Sequence, residues 1–173
     1  MQTTSVFSAA DARAHVGITL IYPTHGVGKL VAVEMQELAG LKIEMAVIEF
    51  AKDKMTLRVP TSKLASVGVR RLSDTATVER AMAVLAGKPG RLPAAMWNRR
   101  AREYEAKINS GGLVAIAEVV RDLAAGSSRG AQVLYETAAT RIAQELAAIT
   151  GAAVTTAMQR IIEALAAGRA KTQ

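Results

Sequence analysis

From residue 18 to 69 the apolar positions come in short runs, at 18–22, 28–34, 43–50 and 55–59, rich in Val, Ile, Leu or Met. Runs of that length and composition predict β-strands. Pro23, Gly26, Gly40 and the Lys52-Asp53-Lys54 cluster fall between them, where turns need proline rigidity, glycine freedom or solvated charge. Four or five strands in about fifty residues suggest a small barrel, and such a barrel normally leaves an edge that a partner can extend by backbone hydrogen bonding. After Arg71 the period changes. Ser73 or Asp74 is a suitable N-cap, and an Ala-rich, four-residue pattern runs from there to the C-terminus. Gly87, Gly111, Gly126 and Gly151 punctuate it at helix-end spacings, which predicts about five helices. Leu134, Ala138, Ile142, Leu146 and Ile149 form one apolar stripe, and Val154, Met158, Ile161 and Leu165 form another. Such stripes are explained by core packing of a helical bundle. The expected fold is therefore α+β, a small N-terminal β-barrel at 18–72 followed by an all-helical bundle at 73–173, with 1–17 as an extension given no role. That lead is polar and Ala-rich, compatible with a flexible segment or a short helix.

Bulk properties narrow the function. The 173 residues, half of them apolar, suffice for two small domains. Twenty-two Lys and Arg against fifteen Asp and Glu leave a formal charge of +7, which favours an anionic partner such as nucleic acid or a membrane surface. The absence of cysteine removes disulfides, thiolate metal sites and a Cys nucleophile, and fits a reducing cytoplasm. No apolar run reaches the roughly 18 residues of a spanning helix, and the N-terminus lacks a signal-peptide pattern, so a soluble cytoplasmic protein is expected.

Enzyme chemistry finds little support. His15 and His25 are the only histidines and have no second ligand at zinc spacing, so no metal site is expected. Gly26-Val27-Gly28 is too short for a dinucleotide fingerprint and is read as a backbone device at a turn. No nucleophile elbow or acid pair stands out, so no catalytic residue and no cofactor is assigned.

The segment 88–107 carries more information. Lys88, Arg91, Arg99, Arg100, Arg102 and Lys107 face only Glu103 and Glu105 as opposing charges. The chain's only tryptophan, Trp97, stands beside Asn98, Arg99 and Arg100, setting a flat apolar ring next to guanidinium groups able to hold phosphates. Two readings stay open. Trp97, Ala101, Tyr104 and Ile108 share one helix face, so periodicity alone favours a core tryptophan, and exposed Arg and Glu at helical spacing are commonly a solvated face with weak ion pairs.

Three stretches together resemble the CarD/CdnL family of bacterial transcription regulators, over most of 18–123. Ile21-Tyr22-Pro23-Thr24-His25-Gly26-Val27-Gly28 looks like the opening strand and turn of the family's Tudor-like RNA-polymerase-interacting domain. Leu57-Arg58-Val59-Pro60, followed by Val67-Gly68-Val69-Arg70, resembles a later strand and the exit of that domain. Trp97-Asn98-Arg99-Arg100 and Ala117-Glu118-Val119-Val120-Arg121-Asp122-Leu123 are similar to its helical DNA-binding domain. The resemblance implies a polymerase contact at Leu57, Arg58 and Val59, with Arg58 foremost, and docking on the polymerase β subunit. It implies that Trp97 wedges into the minor groove of promoter DNA at the upstream edge of the bubble, while Arg99, Arg100 and Arg102 grip the phosphate backbone, so that the open complex is stabilised. The stretch 118–123 is expected to serve structure.

The chain departs from the family pattern in three places. Beyond Ala124 the usual Leu-Ser and acidic helix start gives way to Ser127-Ser128-Arg129-Gly130-Ala131-Gln132. The stretch Met35-Gln36-Glu37-Leu38, expected as a loop, offers no basic residue. The lead before Ile18 has no counterpart in shorter relatives. A polymerase-binding adaptor whose helical half recruits a protein and touches no DNA is the competing reading, and a monomer is the expected state.

Overall fold

The computed structural model describes residues 6–90 and 96–170, and the chain forms two compact units, Met1–Leu72 and Ser73–Gln173. In the first, strands β1 Thr19–Tyr22, β2 Gly26–Leu38, β3 Leu41–Phe50, β4 Met55–Pro60 and β5 Arg70–Arg71 form one antiparallel sheet in the order β4-β3-β2-β1-β5. The expected barrel is corrected to an open sheet, because no ladder joins β4 to β5 among the described residues. A sheet of this size leaves two edges, one on each terminal strand of the order.

The supposed loop at Met35-Gln36-Glu37-Leu38 is strand: β2 pairs with β3 as far as Leu38↔Leu41. Ala39 (φ 51°) and Gly40 (φ 79°) are both left-handed, as a two-residue hairpin turn requires. The Gly26-Val27-Gly28 motif has two separate causes. Gly26 has φ 82°, and a Cβ on Gly28 would lie 2.8 Å from both Ile48 Cγ2 and Phe50 Cε1, so the core closes over it only with hydrogen there.

Leu20, Leu30, Ile48, Phe50 and Leu64 fill the core of this unit, together with Phe7, which is fully buried. Phe7 belongs to the lead that the sequence left without a role. Val6 bridges Arg70, the Phe7 N–H donates to the Val69 carbonyl, and helix α1 (Ala9–Ala14) follows behind a Ser8–Asp11 capping box. Of the two forms considered for the lead, a short helix is the one present at 9–14.

The second unit holds five helices among the described residues: α3 Thr75–Leu85, α4 Trp97–Asn109, α5 Leu113–Leu123, α6 Arg129–Thr150 and α7 Val154–Ala170. The short α2 (Leu64–Val67) lies in the first unit. Asp74 is the N-cap of α3, its carboxylate accepting the Thr77 N–H. Ser128 caps α6, which ends at left-handed Gly151 (φ 72°). Helix α5 lies at the centre against α3, α4 and α6, burying Leu113, Ile116, Val119, Val120 and Leu123. The α6 stripe packs inward at Ala138, Ile142 and Leu146. On α7, Ile161 and Leu165 are buried, but Val154 at its first position is 44% exposed, so that stripe starts one turn later than its spacing suggests. No helix among the described residues is long and apolar enough to cross a membrane.

Candidate functional site

Strand β4 lies at one edge of the sheet, and its side chains alternate as period-2 geometry demands. Val59 is buried and Leu57 packs partly against the same core, while Arg58 between them has a half-exposed side chain. Of the three residues marked for the polymerase, only Arg58 therefore presents its side chain outward. Val59 is buried and Leu57 partly so, which leaves their side chains little to offer a partner. Arg58 pairs loosely with Glu34 across the outward face, Nε to Oε2 at 3.9 Å, with both partners about half exposed. An exposed pair of that length contributes at most a few tenths of a kcal/mol and costs little to exchange for another anion. Farther along the same face, Leu38 and Leu41 at the hairpin tip are 61% and 68% exposed.

In the second unit Trp97 is the first residue of α4, and no side-chain hydrogen bond caps that helix at Met96. Tyr104 and Ile108 on its face are buried, Ala101 is half-buried, and Trp97 itself is half-buried against the bundle core. The ring is thus neither a free wedge nor a full core residue. Arg99 and Arg102 are exposed on the other side of the helix, and Arg100 is half-buried. Arg99 donates to Glu103 at 3.2 Å, a solvated i,i+4 pair of the kind the charge spacing suggested. Lys107 is tied to Glu118 of α5, and Lys88 is exposed. Arg91 lies outside the described residues. Two basic side chains are therefore exposed near the α4 start, Arg99 and Arg102, while Arg100 is half-buried and hydrogen-bonded to Tyr104.

Several residues hold this arrangement through contacts that the sequence did not indicate. Asp122 of α5 accepts the Gly90 N–H at 2.9 Å and pairs with Arg121, and the Tyr104 hydroxyl reaches it at 3.5 Å. Burial, and next the Asp122 carboxylate, push the Tyr104 hydroxyl above its ordinary pKa. The segment 118–123 thus acts as a joint between α4, α5 and the chain ahead of 91, in keeping with the structural role expected of it. Arg141 of α6 donates to the Ile108 carbonyl at 3.0 Å, satisfying the end of α4. Gly130 of α6 lies directly against the Trp97 indole. None of these has a local sequence signal, because each is defined by a partner on another helix. Among the described residues no group of three or more His, Asp or Glu side chains is placed to hold a metal ion.

Comparison with known proteins assigns both units. Residues 15–73 match the family described as the CarD-like/TRCF RID domain, and residues 80–162 match the CarD C-terminal domain. The Bacillus subtilis (strain 168) protein named "Putative transcription factor YdeB" is 34% identical over 109 residues, covering 62% of this chain and 70% of its own length. With both halves matched in the family's order and the three motif stretches inside the matched ranges, the chain belongs to the CarD/CdnL family of transcription regulators.

Proposed function

We propose that the chain binds the RNA polymerase β subunit through the edge and outward face of its sheet, and promoter DNA through the start of α4, so that the upstream edge of the melted bubble is held open. The observation that carries this reading is the placement of Trp97. The only indole of the chain stands half-buried at the first position of a helix, with Arg99 and Arg102 exposed on the other side of the same helix start. A ring at a helix start can enter a groove while the guanidinium groups hold the flanking phosphates. On the sheet, Arg58 supplies an outward cation on an edge strand, where backbone pairing and a charge contact can act together. Binding would be to DNA and polymerase jointly, as a monomer, in the cytoplasm where the nucleoid lies.

The adaptor reading, with the helical unit recruiting a protein, is favoured by one observation: the Trp97 ring spends part of its surface on the bundle core. The deciding experiment is co-purification of RNA polymerase with the wild-type chain and with Arg58→Glu, followed by open-complex lifetimes on a promoter that melts poorly with polymerase alone. Capture lost in Arg58→Glu and a longer lifetime with the wild type support the proposal. Capture of polymerase without any change in lifetime would leave the adaptor.

A further inference from the structure

We propose that Gly130 is the positioning residue for Trp97, setting the stance of the indole from the neighbouring helix. The inference rests on the DNA-contacting reading of Trp97 given above. A Cβ built on Gly130 would stand 3.1 Å from Cζ2, 3.4 Å from Nε1 and 3.5 Å from Cε2 of the indole. Carbon atoms in good contact sit about 3.5–4.0 Å apart, so a methyl group here requires ring or helix to give way.

The three atoms nearest a Cβ at Gly130 all belong to the indole. Gly130 is not among the residues with positive φ, so its backbone is one that any residue adopts. It lies in the first turn of a 22-residue helix, where glycine is a poor helix former and alanine a good one. The demand comes from the ring. The helix is also the less yielding partner. Ser128 caps it by accepting the Ala131 N–H, and Ala131, directly after Gly130, is 3% exposed within the bundle core. Trp97, in contrast, is half-buried at the uncapped start of α4. A side chain at 130 would therefore push the ring aside by a few tenths of an ångström on the side bearing Cζ2, enough to turn it while leaving most of its packing in place. With Gly130 the indole is held at one angle before DNA arrives, which lowers the ordering cost of inserting it.

The single tryptophan makes the pose directly readable by fluorescence in the full-length chain. Gly130→Ala, and more strongly Gly130→Ser, are expected to shift the Trp97 emission and raise its quenching by iodide. The same variants should shorten the open complex several-fold, with polymerase co-purification intact and melting temperature unchanged or raised. In a Trp97→Phe background, whose ring lacks Nε1 and Cζ2, Gly130→Ala should leave the open-complex lifetime where Trp97→Phe alone puts it. Wild-type emission and lifetime in Gly130→Ala would overturn the proposal. So would a lifetime loss accompanied by a fall in melting temperature, which marks a structural role, or an undiminished Gly130→Ala effect in the Trp97→Phe background. If Trp97→Ala itself keeps the wild-type lifetime, the DNA-contacting reading fails and the positioning role falls with it. That result is distinguishable because it appears without any change at 130.

Discussion

In the sheet unit, the outward residue and its core neighbours are separated by a single peptide bond. Arg58 is half exposed while Leu57 and Val59 on either side turn to the core. The helical unit offers no such partition, because Trp97 shares a face with buried Tyr104 and Ile108 and is itself half-buried. A strand sends alternate residues to opposite faces, whereas a helix spreads them round a cylinder and leaves boundary positions. Under the proposed function, a binding role and stability are consequently separable at Arg58 and entangled at Trp97. That difference sets what each substitution can reveal.

The largest expected effect falls on the sheet unit and uses a residue ahead of the matched family range. Phe7→Ala removes a fully buried aromatic side chain from the core and is expected to cost about 3–5 kcal/mol. Thermal melts of the full chain should show the transition assigned to the sheet unit falling by many degrees. An unchanged melt would mean that the lead is dispensable and that the sheet core closes without it.

Trp97→Ala comes next and tests the entanglement. A half-buried indole should cost about 1–3 kcal/mol, less than the 3–5 of a fully buried one, and the open-complex lifetime on a slow-melting promoter should fall to that of polymerase alone. Full loss of stabilisation with a melting change below that range would sharpen the division into a wedge surface and a packing surface. A stable, polymerase-bound variant with wild-type lifetime would break it.

How much of this was legible in the chain follows from the same geometry. The helix count and a cap at Ser73 or Asp74 are local properties that the sequence displays directly, and the structure selects Asp74. Grouping Leu57, Arg58 and Val59 as one contact overlooks the alternation that turns Leu57 and Val59 away from Arg58. Strand β2 was underestimated past Glu34, because Met35-Gln36-Glu37-Leu38 lies beyond the core and carries no burial pattern: Met35 and Leu38 are exposed. The open sheet could not be told from a barrel, since closure depends on whether two distant strands meet. The burial of Phe7 was hidden because a lone aromatic in a polar segment has no periodicity to place it. At the site, the face shared by Trp97, Tyr104 and Ile108 was readable, but its degree of burial was not. That quantity depends on Gly130 and the start of α6, thirty-three positions along the chain.

Arg58→Glu is a cleaner probe. Stability should change by less than about 0.5 kcal/mol, because an exposed pair with Glu34 is all that is lost, though a carboxylate there also faces Glu34. Polymerase binding should weaken by about tenfold or more if the contact is to an acidic surface. Normal capture with a normal melt would remove Arg58 from the interface. For the arginines of α4 the measurable quantity is salt dependence. Three phosphate contacts predict a slope near −3 for duplex binding, and Arg102→Ala should reduce it by about 1. Arg99→Ala should reduce it by less, since Arg99 must first leave Glu103.

The smallest effect separates the two units by acid. The Asp11 carboxylate accepts from the Ser8 hydroxyl and backbone N–H and pairs with Arg71 at 3.0 Å, and these contacts, with the Ser8 hydroxyl foremost, lower its pKa from 3.8 to about 2. A carboxylate whose pKa is depressed on folding stabilises the fold above its unfolded value, and that contribution is lost as pH falls towards the folded one. The anchoring of the lead should therefore weaken between about pH 4 and pH 2, with Glu44, which is lowered by Arg13 and Thr61, adding to the same trend. Asp74 is lowered too, by Thr77, so the helical unit also loses some stability in acid. Asp11→Asn discriminates: it should flatten the acid limb of the sheet unit and leave that of the helical unit as it was. Unit-resolved hydrogen exchange at pH 2.5 to 5 reads the two separately. An acid limb in the sheet unit that persists undiminished in Asp11→Asn would show that the lead is held by the Phe7 ring, its backbone contacts to Val69 and Arg70 and the Arg13–Glu44 pair, and that the Ser8–Asp11–Arg71 contacts follow its docking without contributing to it.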